Sequence, residues 1–178
     1  MPATTLYSIT IPPMLKALAN LDAMLDKVHA AAEAKALEWV PASVREEALL
    51  HDRIIFDQFD LLKQVQVACD NAKGGAARLA GMEPPKFDDA EKSVAELKAR
   101  ITRTIEFVKS VSPEQIVGRE AERVSLPYWP GKTMSAFDYA TQYLIPNFFF
   151  HYTTAYSIIR KNGIDIGKSD FTGEIPME

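Results

Sequence analysis

The sequence predicts an all-α protein, a four-helix bundle with a short hairpin before the last helix. Three observations predict it. Four long segments repeat apolar residues at helical spacing, proline and glycine cluster between those segments, and only Gly118 to Met134 alternates in polarity. At 178 residues the chain suits a single domain spanning 1–178, long enough to bury about two-thirds of its unfolded surface.

The first helix is expected over about 11–35. Ser8 or Thr10 can cap it, Pro12 and Pro13 sit in its first turn, and Met14, Leu15, Leu18, Leu21, Met24, Leu25 and Val28 form an apolar stripe. His29, near its end, reads as a surface or packing histidine. Trp39-Val-Pro-Ala-Ser43 interrupts the pattern, and Ser43 with Glu46 and Glu47 opens a second helix that periodicity carries to about Leu79. Apolar residues surround this helix between about 54 and 68, so it is expected to be central or to meet another subunit. Gly74 and Gly75 should loosen its last turns, at about 1 kcal/mol each.

Gly81-Met-Glu-Pro-Pro-Lys-Phe87 is a stiff loop. Asp88 and Asp89 then precede a third helix whose stripe is Val94, Leu97, Ile101, Ile105 and Val108. Ser112-Pro-Glu-Gln115 resembles a capped start and allows a turn or two. In the segment from Gly118 to Met134, Pro130-Gly131 is the expected hairpin turn. Ser135 caps the fourth helix together with Asp138, Pro146 should kink it, and Asn162-Gly163 ends it. The tail is expected to pack as an extended arm through Ile164, Ile166 and Phe171.

With 20 basic and 24 acidic residues and a net charge of −4, scattered rather than clustered, the chain offers no footprint for nucleic acid. The single cysteine, Cys69, excludes an intrachain disulfide and suits a reducing compartment. No signal peptide and no run of about 20 apolar residues is visible, so the expectation is a cytoplasmic protein without a membrane.

The fourth helix carries the chemistry. Tyr143, Asn147, His151 and Thr154 fall on one polar stripe of an otherwise apolar segment, and on helix two Asp57, Leu61, Gln64 and Ala68 share a face. If these stripes meet, Asp57 approaches His151. A carboxylate and an imidazole from facing helices suit zinc, nickel, iron or manganese, so Asp57, Asn147 and His151 are the expected metal ligands. Tyr143, Gln64 and Thr154 are the expected small-molecule contacts. The competing reading is a polar core in which the Asp57/His151 pair only fixes helix register. His51 lies about 120° from Asp57 around the helix and is peripheral. No nucleophile elbow, phosphate loop or dinucleotide fingerprint is present. Cys69, on a buried helix, is expected to be inert, and Phe148-Phe149-Phe150 to be core or dimer interface.

Three strings carry a resemblance: Phe56-Asp-Gln-Phe-Asp-Leu-Leu-Lys-Gln-Val-Gln-Val-Ala-Cys-Asp-Asn-Ala-Lys-Gly74, Arg78-Leu-Ala-Gly-Met-Glu-Pro-Pro-Lys-Phe87, and Pro146-Asn-Phe-Phe-Phe-His-Tyr-Thr-Thr-Ala-Tyr-Ser-Ile-Ile-Arg-Lys-Asn-Gly163 with Gly167-Lys-Ser-Asp-Phe171. They resemble the domain-of-unknown-function 1993 family, which is similar to the DinB and YfiT-like superfamily of proposed metalloenzymes. The resemblance implies an up-down-down-up four-helix bundle and a homodimer, with thiol-dependent transferases or isomerases among its relatives. It also implies a metal site made of one histidine from the second helix and a His-x-x-x-His pair from a later one. Here the pair corresponds to Asn147-x-x-x-His151 and the second-helix ligand to the neighbourhood of Asp57, so two of three imidazoles are missing. Two classes follow: a degenerate DinB-like protein binding a small molecule or a weakly held divalent metal, or a structural or interaction protein. Whether it is an enzyme stays open.

Overall fold

The computed structural model describes residues 4–34 and 39–177. Four helices build the bundle: α1 (Leu6–Ala34), α3 (Leu61–Leu79), α4 (Val94–Ser110) and α6 (Ile145–Lys161). Shorter helices are α2 (Ala42–Leu50), α5 (Ala136–Asp138) and α7 (Lys168–Thr172), and a tight turn spans Pro113–Gln115. Around the bundle the order is α1, α4, α3, α6, each packed on the next and α6 closing on α1. Leu18, Leu21 and Leu25 of α1, Val65 and Ala72 of α3, Leu97 and Ile101 of α4, and Phe148 and Ile158 of α6 meet in one core.

Helix α1 starts earlier than the stripe predicts because Thr5, not Thr10, caps it. The Thr5 N–H donates to Ser8 Oγ at 2.9 Å and the Ser8 N–H to Thr5 Oγ1 at 3.2 Å. Pro12 and Pro13 therefore lie inside the helix, where they withhold the N–H donors that would reach the carbonyls of Ser8 and Ile9. The predicted end at residue 35 lies outside the described residues.

The expected second helix is two helices. Between α2 and α3 the chain leaves helical geometry over 51–60, because Asp60 caps α3 by accepting the Lys63 N–H at 2.9 Å. Asp52 fixes the other end of this loop: its carbonyl accepts the Leu61 N–H at 3.0 Å, and its carboxylate takes the Arg53 N–H, Asn162 Nδ2 and Lys161 Nζ. Of the apolar residues read as an all-round hydrophobic helix, those before Leu61 are instead exposed on the loop, while Leu61, Val65 and Ala68 are buried on α3. Ile54, Ile55, Phe56 and Phe59 are 50, 54, 83 and 51 % exposed.

Beyond α4, Arg123–Val124 (β1) pairs antiparallel with Met134–Ser135 (β2), with Val124 opposite Met134. The hairpin is as expected, although the connection between its strands is the whole of 125–133 rather than a tight Pro-Gly turn. Ser135 Oγ accepts the Asp138 N–H at 3.0 Å, the expected cap. The chain then winds as a π-helical turn over Tyr139–Leu144 before α6 begins. Pro146, lacking an N–H, cannot satisfy the carbonyl four residues back, and the wide turn accommodates that loss just upstream. The tail is packed but is not extended: Gly167 and Asp170 start α7, and Phe171 lies 4.4 Å from the Tyr152 ring, centre to centre.

Two contacts fix how α3 sits. Gly75 faces Leu144, where a Cβ would collide with both side-chain methyl groups. On the other side, the fully buried Arg100 of α4 binds Asp70 at 2.7 Å, Asp89 at 3.0 Å and Glu91 at 3.0 Å, tying α4 to α3 and to the loop between them.

A polar seam between α3 and α6

Where α3 meets α6, a row of polar side chains crosses the interface. Gln64 pairs with His151, Asn71 with Asn147, and Gly75 with Leu144. Residue numbers rise on α3 as they fall on α6, so the helices run antiparallel here.

The hydrogen bonds at His151 determine its tautomer. Gln64 Nε2 donates to the Phe59 carbonyl at 3.0 Å, which leaves Gln64 Oε1 as the acceptor facing His151 Nδ1 at 2.7 Å. The Nδ1 atom therefore carries the proton, and Nε2 carries the lone pair. No hydrogen bond reaches Nε2 among the described residues. The ring is 8 % exposed, with Phe59 stacked on it at 6.5 Å and Phe150 edge-on at 5.1 Å. Burial pushes its pKa below the usual value of 6.5, so it is neutral at pH 7.

One turn away, Asn147 Nδ2 donates to Asn71 Oδ1 at 2.9 Å and approaches the Tyr143 hydroxyl at 3.4 Å. Tyr143 shares a 2.6 Å hydrogen bond with Tyr128. Trp129 packs edge-on to Tyr143 and Tyr139, which stack on each other at 5.8 Å. Burial, together with the bond to Tyr128, raises the Tyr143 pKa, and burial raises that of Tyr139. Both phenols stay protonated and can donate. Among the described residues Asn71 Nδ2 is buried without a partner, an orphaned donor in the middle of the seam.

Of the residues expected from the sequence, Gln64, Tyr143, Asn147 and His151 come together. Thr154 lies on the stripe, but its hydroxyl turns back to the Phe150 carbonyl at 2.7 Å. Asp57 does not pair with His151: it is exposed on the 51–60 loop, and Gln64 occupies the place expected of it. His51 pairs with Asp60 and His29 with Glu46, neither joining the seam. Cys69 is fully buried, with its thiol pushed by burial up to about 12, the setting on which the expectation of an inert thiol rests. Asn71, Phe59, Tyr128 and Trp129 were not anticipated. Asn71 was within reach, since it lies two helical turns after Gln64 on the same face; the hairpin residues carry no such spacing.

Among the described residues no group of three or more His, Cys, Asp or Glu side chains is disposed to hold a metal ion. The seam offers one imidazole, carboxamides and phenols, and its second-helix position is an amide hydrogen-bonded to the imidazole. These residues do not fit the three-ligand site of a tightly held divalent metal.

A four-helix bundle with this helix order, α3 parallel to α4 and antiparallel to α6, with the hairpin before the last long helix and a polar seam behind it, defines a DinB-like fold. A crystal structure of a DinB family member protein from Shewanella denitrificans matches it with a TM-score of 0.88 at 40% sequence identity, over 97% of this chain and 94% of that one. The model of a family described as a domain of unknown function, DUF1993, matches residues 6–172, and the chain belongs to that family. No curated protein matches. No helix among the described residues is long and apolar enough to cross a membrane.

Proposed function

We propose that the seam is a metal-independent binding centre for a small polar molecule. The Gln64–His151 hydrogen bond carries this reading: it fixes a neutral imidazole whose unprotonated Nε2 has no partner among the described residues, with the ring held between Phe59 and Phe150. A hydroxyl or amide N–H donating to Nε2 would gain an acceptor held rigid by its own second hydrogen bond. A molecule spanning about two helical turns of the seam would also meet donors at Tyr143 and at the Asn71 amide.

Histidine-selective NMR against a set of small hydroxyl- and amide-bearing molecules tests this. Shifts of the His151 ring and of Asn147, lost in His151→Ala while the variant still unfolds cooperatively, are the expected result. Absence of any shift, together with a loss of a few kcal/mol in His151→Ala, would favour the second reading, in which the seam registers α3 against α6. The Asn71–Asn147 pair supports that alternative, because it bridges the same helices without leaving a free acceptor. Elemental analysis of untagged protein should find zinc, nickel, manganese and iron all well below one per chain. A homodimer belongs to the same proposal, with its surface on the exposed 51–60 loop rather than on a helix face; sedimentation velocity across a concentration series reads it.

A further inference from the structure

A cleft of about 390 Å³ lies away from the seam, between α1, α2 and the chain after α6. That is within the size range of small-molecule pockets, roughly 300–1,000 Å³. Its walls are apolar: Ala31, Val44, Ala48, Leu49 and Ile164 contribute aliphatic surface. Two charged residues line it, Arg45 and Asp52. The Asp52 carboxylate is already engaged by Lys161 at 2.7 Å and Asn162 at 2.6 Å, which hold it ionised and compensated. Among the described residues no carboxylate pairs with Arg45, so the uncompensated sign they leave in the lining is the positive one, on a group whose planar fork matches a carboxylate. A mostly aliphatic cleft with a guanidinium in its lining disfavours cations, and fully polar solutes that could not replace the water they lose.

We propose that this cleft binds a compact amphipathic carboxylate, with its hydrocarbon against Val44, Ala48 and Ile164 and its carboxylate on Arg45. The site is separate from the seam, so it stands or falls independently of the role given to His151. Octanoate is a suitable probe and 1-octanol its uncharged counterpart, followed by amide chemical shifts in labelled protein. Octanoate should saturably shift Ala31, Val44, Ala48, Leu49 and Ile164 and bind more tightly than octanol. Arg45→Gln should weaken octanoate by about tenfold or more, the loss of a charge-assisted contact, and bring it level with octanol. Ala48→Phe should exclude both by filling the cleft, with Ala31→Phe as a second filling variant should the first not fold. His151→Ala should bind octanoate like the parent. Equal affinity for octanoate and octanol, unchanged octanoate binding in Arg45→Gln, or shifts absent from these five amides would overturn the proposal.

Discussion

His151 is a neutral base held in one tautomer, and its protonation should report on the fold. Its pKa is lower in the folded chain than the unfolded value of 6.5, so between those two values the unfolded chain binds more protons. Stability from this residue is present above pH 6.5 and falls as pH drops through the folded pKa. His29 has the opposite sign: its hydrogen bond to Glu46 raises its pKa, and its contribution is lost as pH rises past that value. Comparing urea midpoints of the parent and His151→Gln between about pH 5 and 8 isolates the first limb. The parent should lose stability on acidification and the variant lose less. Gln64→Glu tests the same bond from the other side. A carboxylate in place of the amide favours the imidazolium, so the His151 NMR midpoint should rise by about one unit or more.

Two adjacent glycines of α3 behave as opposites. Gly75 stands where Leu144 packs, and a methyl group there meets both terminal methyl groups of that buried side chain. Gly75→Ala should cost about 1–3 kcal/mol by overpacking. A Cβ at Gly74 meets only the end of the Arg78 side chain, which can move. Gly74→Ala should therefore be neutral, or stabilise by up to about 1 kcal/mol through helix propensity. Thermal or urea unfolding of the two variants side by side shows the difference. The four bundle helices and the Ser135 cap were legible because each rests on spacing and local chemistry within one segment. So were Tyr143, Asn147 and His151 as one stripe. The break at 51–60 was not legible, since Ile54, Ile55, Phe56 and Phe59 mimic a buried helix, and the loop is fixed by the Asp60 cap together with the long-range ties of Asp52 to Lys161 and Asn162. Asp57 was misplaced for that reason: the helical stripe that set it opposite His151 does not exist.

For the whole molecule, Arg100 fastens α4 to α3 and to the preceding loop. Its guanidinium is fully buried, and Glu91 is nearly so, whereas Asp70 and Asp89 keep substantial access to water. Arg100→Ala should cost about 3 kcal/mol, the lower end for breaking a buried pair, because those two aspartates can turn outward. Lys63→Ala, which removes an exposed pair with Asp89, should cost no more than about 1 kcal/mol. Urea unfolding of both variants checks the contrast. The π-helical turn over Tyr139–Leu144 joins the half of the fold that carries the hairpin to the half that carries the seam. For the gene, losing one codon within that turn differs from losing one inside α6. The π turn holds one residue more than regular winding needs, so the shortened chain can close i to i+4 hydrogen bonds with α6 and the hairpin both in place. A codon lost between Asn147 and His151 instead turns His151 by about 100° away from Gln64, so an in-frame deletion a few residues further on would dismantle the seam.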